Sequence, residues 1–145
     1  MRRLLTLGLV FVLAGCASGP APEAARAEPE APTAVEPYAT QPAVLALLER
    51  SRALADAGRP DEAAAQLDRA LRIDPRDPAV LQARAERFLA DGDPAQALNF
   101  AEKSFQRSSK RGELCRRNWA TIETARRLQG DRQGAREASR RADFC

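Results

Sequence analysis

The sequence has no histidine, three cysteines, two lysines and few aromatic side chains. Without histidine, the most common general base and zinc ligand is missing. Three cysteines cannot build a four-cysteine metal site or an iron–sulfur cluster. With no nucleophile–base pair in view, an enzyme is not expected, nor a cofactor or a bound metal. A net charge of +3 is too small to argue for nucleic acid, which asks for a clustered basic face. Lys103 and Lys110 stand against 21 arginines, a skew that reads as coding bias. No apolar run reaches the roughly 20 residues of a membrane-spanning helix. At 145 residues the chain has room for one small domain and a tail.

The N-terminus is read as an address. Arg2 and Arg3 precede an apolar run from Leu4 to Leu13, and Ala14, Gly15 and Cys16 close it with small residues. That is the layout of a secretory signal peptide over residues 1–15. Leu13-Ala14-Gly15-Cys16 resembles a bacterial lipobox. The resemblance implies that Cys16 is acylated, palmitate included, and becomes the first mature residue. Several acyl chains together make a firm anchor where one does not. Ala17 in place of Asp implies sorting to the outer membrane, with the chain facing the periplasm.

Residues 16–42 carry the lipidated Cys and then a Pro/Ala-rich stretch with six Pro and eight Ala. Nothing there buries enough apolar surface to offset ordering entropy, so a disordered tether is expected. It would reach roughly 80 Å when extended and about 30 Å as a coil.

From residue 43 the spacing becomes helical. Val44, Leu47, Leu48, Leu54 and Ala55 form one stripe, and Ala63, Leu67, Ala70 and Leu71 a second after the break at Gly58-Arg59-Pro60. A shift of 34 positions superposes Gly58 on Gly92, Pro60 on Pro94 and Ala63 on Ala97; a third copy places Gly130, Ala135 and Trp119 after a polar slip at residues 108–111. A helix–turn–helix unit of this period cannot bury its face alone and must stack. The pattern resembles the tetratricopeptide repeat (TPR) family over residues 43–145, with repeats at about 44–77, 78–111 and 116–145. The fold predicted is all-α: three stacked TPR-like hairpins in a short α-solenoid behind a disordered tether. The rival is an ordinary helical bundle with accidental periodicity. The glycines are expected to end the first helix of each pair in left-handed conformation. Phe88 and Trp119 are read as packing on the neighbouring hairpin. The last helix is expected to cap the stack by itself with Arg136, Arg140 and Arg141.

Cys115 starts the third repeat and Cys145 ends it. In an antiparallel hairpin those ends lie side by side, and the periplasm is oxidising, so a disulfide is expected; two free thiols are the alternative. Charge is uneven: residues 103–145 carry 12 basic and 5 acidic side chains. Such a basic end either steers an acidic partner or is a solvated helical face.

TPR proteins generally bind peptides or protein surfaces in the concave face made by the first helix of each pair. Transferred by spacing, that face holds Leu45, Leu48, Arg52, Gln82, Glu86, Leu89, Arg117, Thr124 and Arg127. The three leucines make an apolar patch and Arg52, Arg117 and Arg127 its polar anchors. The carboxylate clamp of some TPR domains is absent, since its positions hold Leu48, Arg52 and Ala83. Anchor, tether and TPR domain together resemble the outer-membrane lipoprotein activators of bifunctional peptidoglycan synthases, although the tether is short for that span. The alternatives are a scaffold for a type IV pilus secretin or the outer-membrane barrel machinery, or a generic envelope adaptor. In each case the partner is a protein of the cell envelope, reached from a lipid anchor and without nucleic acid; the oligomeric state is left open.

Overall fold

The structure is a computed structural model and describes residues 39–145. The leader at 1–15, Cys16 and the tether through residue 38 lie outside the described residues. The described part folds as six helices: α1 (Pro42–Asp56), α2 (Pro60–Ile73), α3 (Pro78–Ala90), α4 (Pro94–Arg107), α5 (Glu113–Leu128) and α6 (Arg132–Ala142). They pair as the hairpins α1–α2, α3–α4 and α5–α6, and the pairs stack in chain order.

The turn inside each hairpin follows from one glycine. Gly58, Gly92 and Gly130 sit at φ of 69°, 77° and 83°, a region where a side chain collides with its own carbonyl. In each turn the next residue's amide donates back to the carbonyl five positions earlier: Arg59 to Leu54, Asp93 to Phe88 and Asp131 to Arg126, all at 2.9 Å. The glycine amide donates to the carbonyl three positions back. This Schellman pattern satisfies carbonyls that the ended helix would leave bare. The same short turn starts the next helix. Pro60 and Pro94 occupy the first turn, where a missing N–H does no harm. Asp93 and Asp131 accept from the Gln96 and Gly134 amides at 3.0 and 2.8 Å.

Alanines set the helix spacing. Ala63 and Ala70 on α2, Ala97 and Ala101 on α4, and Ala135 and Ala138 on α6 are buried. Each sits where a longer side chain would force its hairpin apart. The apolar core has two centres. One joins Val44, Leu67, Ala70 and Val80 across α1, α2 and α3. The other joins Ala85, Ala101, Ile122 and Ala138 across α3 to α6. Side-chain hydroxyls lock the pairs: Ser51 Oγ donates to the Ala63 carbonyl at 2.9 Å, and Ser104 Oγ to the Pro78 carbonyl at 2.7 Å.

The Phe88 ring lies 5.2 Å from Phe100, inside its own α3–α4 pair. Trp119 does cross between repeats, with its ring 4.6 Å from Phe105 of α4. In the third hairpin a disulfide joins Cys115 and Cys145, with Cα atoms 5.6 Å apart. The Gly112 amide donates to the Cys145 carbonyl at 2.6 Å.

A candidate docking groove along the first helices

The faces of α1 and α3, with one residue from α5, enclose an open cavity of about 240 Å³. Helical spacing explains its lining. Leu48, Arg52 and Ala55 recur at 3–4 positions along α1, and Ala83, Glu86, Arg87 and Ala90 do so along α3. Ala63 and Leu67 of α2 close the floor, and Arg117 reaches in from α5. The alanines keep the floor low, and so the cavity exists.

Glu86 and Arg117 form a bidentate pair across the stack. Arg117 Nη2 donates to both carboxylate oxygens at 2.8 and 2.6 Å, and Nε to one of them at 3.0 Å. Beneath them Gln82 is fully buried. Its amide donates to Thr121 Oγ1 at 2.7 Å, to Glu86 Oε1 at 3.0 Å and to the Arg117 carbonyl at 3.2 Å. One amide thus ties α3 to α5 and holds the carboxylate that holds Arg117. Arg87 pairs with Asp91. Arg52 is exposed and has no ion pair or side-chain hydrogen bond among the described residues. The groove therefore offers an apolar floor and one uncommitted guanidinium. That combination is complementary to an apolar side chain with a neighbouring carboxylate.

Of the nine residues assigned to the concave face, Leu48, Arg52, Glu86 and Arg117 line this cavity together. Gln82 is a correction: it is a core residue between α3 and α5, out of reach of a partner. Leu45 is exposed but outside the cavity, and Leu89 and Thr124 are half-buried elsewhere. Arg127 pairs with Glu123 at 3.3 Å and borders a different cavity with Arg132 and Arg136. The three positions of the absent clamp, Leu48, Arg52 and Ala83, do converge here. The spacing argument missed the rest of the lining, Arg87 and Ala90 among it. The repeat of Ala83, Arg87 and Ala90 at four and three positions was the available signal.

A family model described as tetratricopeptide repeat matches residues 44–87. Among solved structures, the globular C-terminal domain of P. aeruginosa LpoP is 39% identical with a TM-score of 0.66; the match covers 71% of this chain and 97% of that one. The second TPR of Spaghetti (RPAP3), bound to the HSP90 peptide SRMEEVD, is 14% identical with a TM-score of 0.63, covering 71% and 92% of the two chains. At that identity the likeness speaks for the fold alone. No curated protein matches this chain.

Proposed function

Since the chain belongs to the tetratricopeptide-repeat family that includes the LpoP domain, we propose that it is a lipid-anchored regulator of a cell-envelope machine, most concretely a bifunctional peptidoglycan synthase. The observation that carries this reading is the 39% identity across nearly the whole LpoP domain. The lipobox at Leu13–Cys16 and the Pro/Ala-rich stretch behind it add an anchor and a tether of the kind such an activator needs. In this reading acylated Cys16 holds the chain in the outer membrane, facing the periplasm, and the TPR domain does the work by contact.

The groove supplies the contact. Its floor is rigid because Ser51 ties α1 to α2 and Gln82 ties α3 to α5. A partner segment there loses freedom, but the domain loses little, which raises affinity for given contacts. Activation then requires tighter binding to the synthase's working conformation than to its resting one. Each tenfold preference corresponds to about 1.4 kcal/mol.

In-cell photocross-linking from position 52 tests the reading. Capture of a penicillin-binding synthase, lost on Arg52→Glu while helicity is retained, is the expected result. Capture of secretin or barrel-assembly components in its place would overturn it. A Cys16→Ser chain should leave the membrane fraction.

A further inference from the structure

None of the aromatic side chains of the described residues lines the groove. Three of them gather at the far end of the stack. Phe105 of α4 and Trp119 of α5 pack in a tilted pair with ring centres 4.6 Å apart, and Phe144 stands beside them, 81% exposed. Together with Lys110 and Arg141 they border a cavity of about 290 Å³ whose wall is the Cys115–Cys145 bridge.

Phe144 is not on a loose end. Its amide donates to the Arg141 carbonyl, and that of Cys145 to Ala142, each at 3.2 Å. Cys145 is bonded to Cys115, a fully buried residue of α5. A large apolar ring is thus held in water by a covalent clamp. With Phe105 and Trp119 bordering the same cavity, the ring extends an apolar patch of the kind that marks interaction sites.

The charges around it point to what covers it. Lys110 Nζ lies 4.2 Å from the Phe105 ring centre and donates to the Phe105 carbonyl. The Arg141 guanidinium lies 5.2 Å from the Trp119 ring centre, with Glu137 holding its Nε at 2.9 Å. No carboxylate side chain lines the cavity. Partial desolvation pulls the Lys110 pKa down, and none of the ion pairs among the described residues includes its ammonium. Residues 103–145 as a whole carry 12 basic against 5 acidic side chains. Ring-facing cations beside exposed aromatics are residue types that concentrate binding energy at protein interfaces.

We infer that this end of the domain is a second docking surface, for an acidic protein segment that sets an apolar side chain between Phe144 and Trp119 and a carboxylate against Lys110 and Arg141. It is separate from the groove and does not depend on the function proposed for it. The disulfide is part of the site, because it places Phe144.

Trp119 is the only tryptophan of the chain, so the indole emission comes from a residue of this surface. The oxidised full chain, in detergent, is used to select binders from a random-peptide library, and each selected peptide is titrated against Trp119 fluorescence. Peptides rich in Asp and Glu with a Leu, Phe or Trp are expected, shifting Trp119 emission saturably. Phe144→Ser and Lys110→Glu, both at exposed positions, should weaken them about tenfold, as should reduction of the bridge; Arg52→Glu should leave them unchanged. Circular dichroism confirms that each variant stays folded. Failure to select acidic binders, binding that leaves Trp119 emission untouched, or equal affinity in Phe144→Ser and Lys110→Glu would each overturn the inference.

Discussion

Breaking the Cys115–Cys145 bridge should loosen α6 before any other helix. The two cysteines are 30 positions apart. Closing a loop of that size removes roughly 3.5–4 kcal/mol of unfolded-state freedom in the chain-entropy model. The staple matters more here than it would elsewhere in the stack. Helix α2 buries Ala63, Leu67 and Ala70, and α4 buries Ala97, Ala101 and Ser104. Helix α6 buries only Ala135 and Ala138, and most of its other side chains are charged. With so little apolar area, packing alone holds it weakly. Cys145→Ser is the cleaner perturbation, because Cys145 is partly exposed, whereas serine at fully buried Cys115 would add an unpaired hydroxyl. In a domain of this size a loss of that order lowers Tm by about 15 °C. Thermal unfolding followed by circular dichroism, with and without a reductant, measures it. The oxidised wild type should lose that amount on reduction, and Cys145→Ser should be insensitive. Amide exchange should rise first in α6. A reduced wild type melting within about 3 °C of the oxidised one would refute the reasoning, as would unchanged protection of α6.

Three other changes separate the forces in the fold. Gly92→Ala should lower stability by about 1 kcal/mol in urea titration; a Cβ there meets nothing within 4 Å, so the whole effect is the φ of 77°. Arg117→Glu should cost about 1 kcal/mol as well as any binding, because it faces Glu86 with a second carboxylate, and adding Glu86→Arg should restore most of the stability. The Glu137 carboxyl is held below its ordinary pKa of 4.5, first by the hydrogen bond from Arg140 and then by that from Arg141. A depressed carboxylate stabilises the fold above its unfolded value and ceases to as pH falls through the folded one. Wild type should therefore melt above Glu137→Gln at neutral pH, and the gap should close below pH 4.5; a gap that persists into acid would count against the pairing.

The repeat was legible because its signals are local. Glycine at a left-handed turn, proline in a first helical turn and alanine at close approaches are each dictated by backbone geometry within a few residues. The turns at Gly58, Gly92 and Gly130 follow from that alone. What the sequence hid are contacts set by which neighbour covers a face. Gln82 has the polarity of a surface residue and lies on a first helix, yet α5 covers it and Thr121 satisfies its amide. Arg117 reads as a free cation until Glu86, 31 positions earlier, is placed opposite it. Helical period gives the direction a side chain leaves its own helix. It does not give the arrangement of the next hairpin, and that arrangement decides between anchor, ion pair and core.

The distribution of aromatic residues has a consequence for how the domain works. A TPR groove lined with alanine, leucine and arginine gains modest apolar area from any one partner side chain. Three of the described aromatic rings, Phe105, Trp119 and Phe144, gather at the stapled end, and one of them, Phe144, remains uncovered. Each surface alone suits a contact that forms and releases readily. Two such contacts made by one partner behave differently: once the first is formed, the second forms at an effective concentration near millimolar, so joint occupancy is far tighter than either. If one partner engages both proposed surfaces, its selectivity would reside in the spacing between them, which the stacking of α1 to α6 sets.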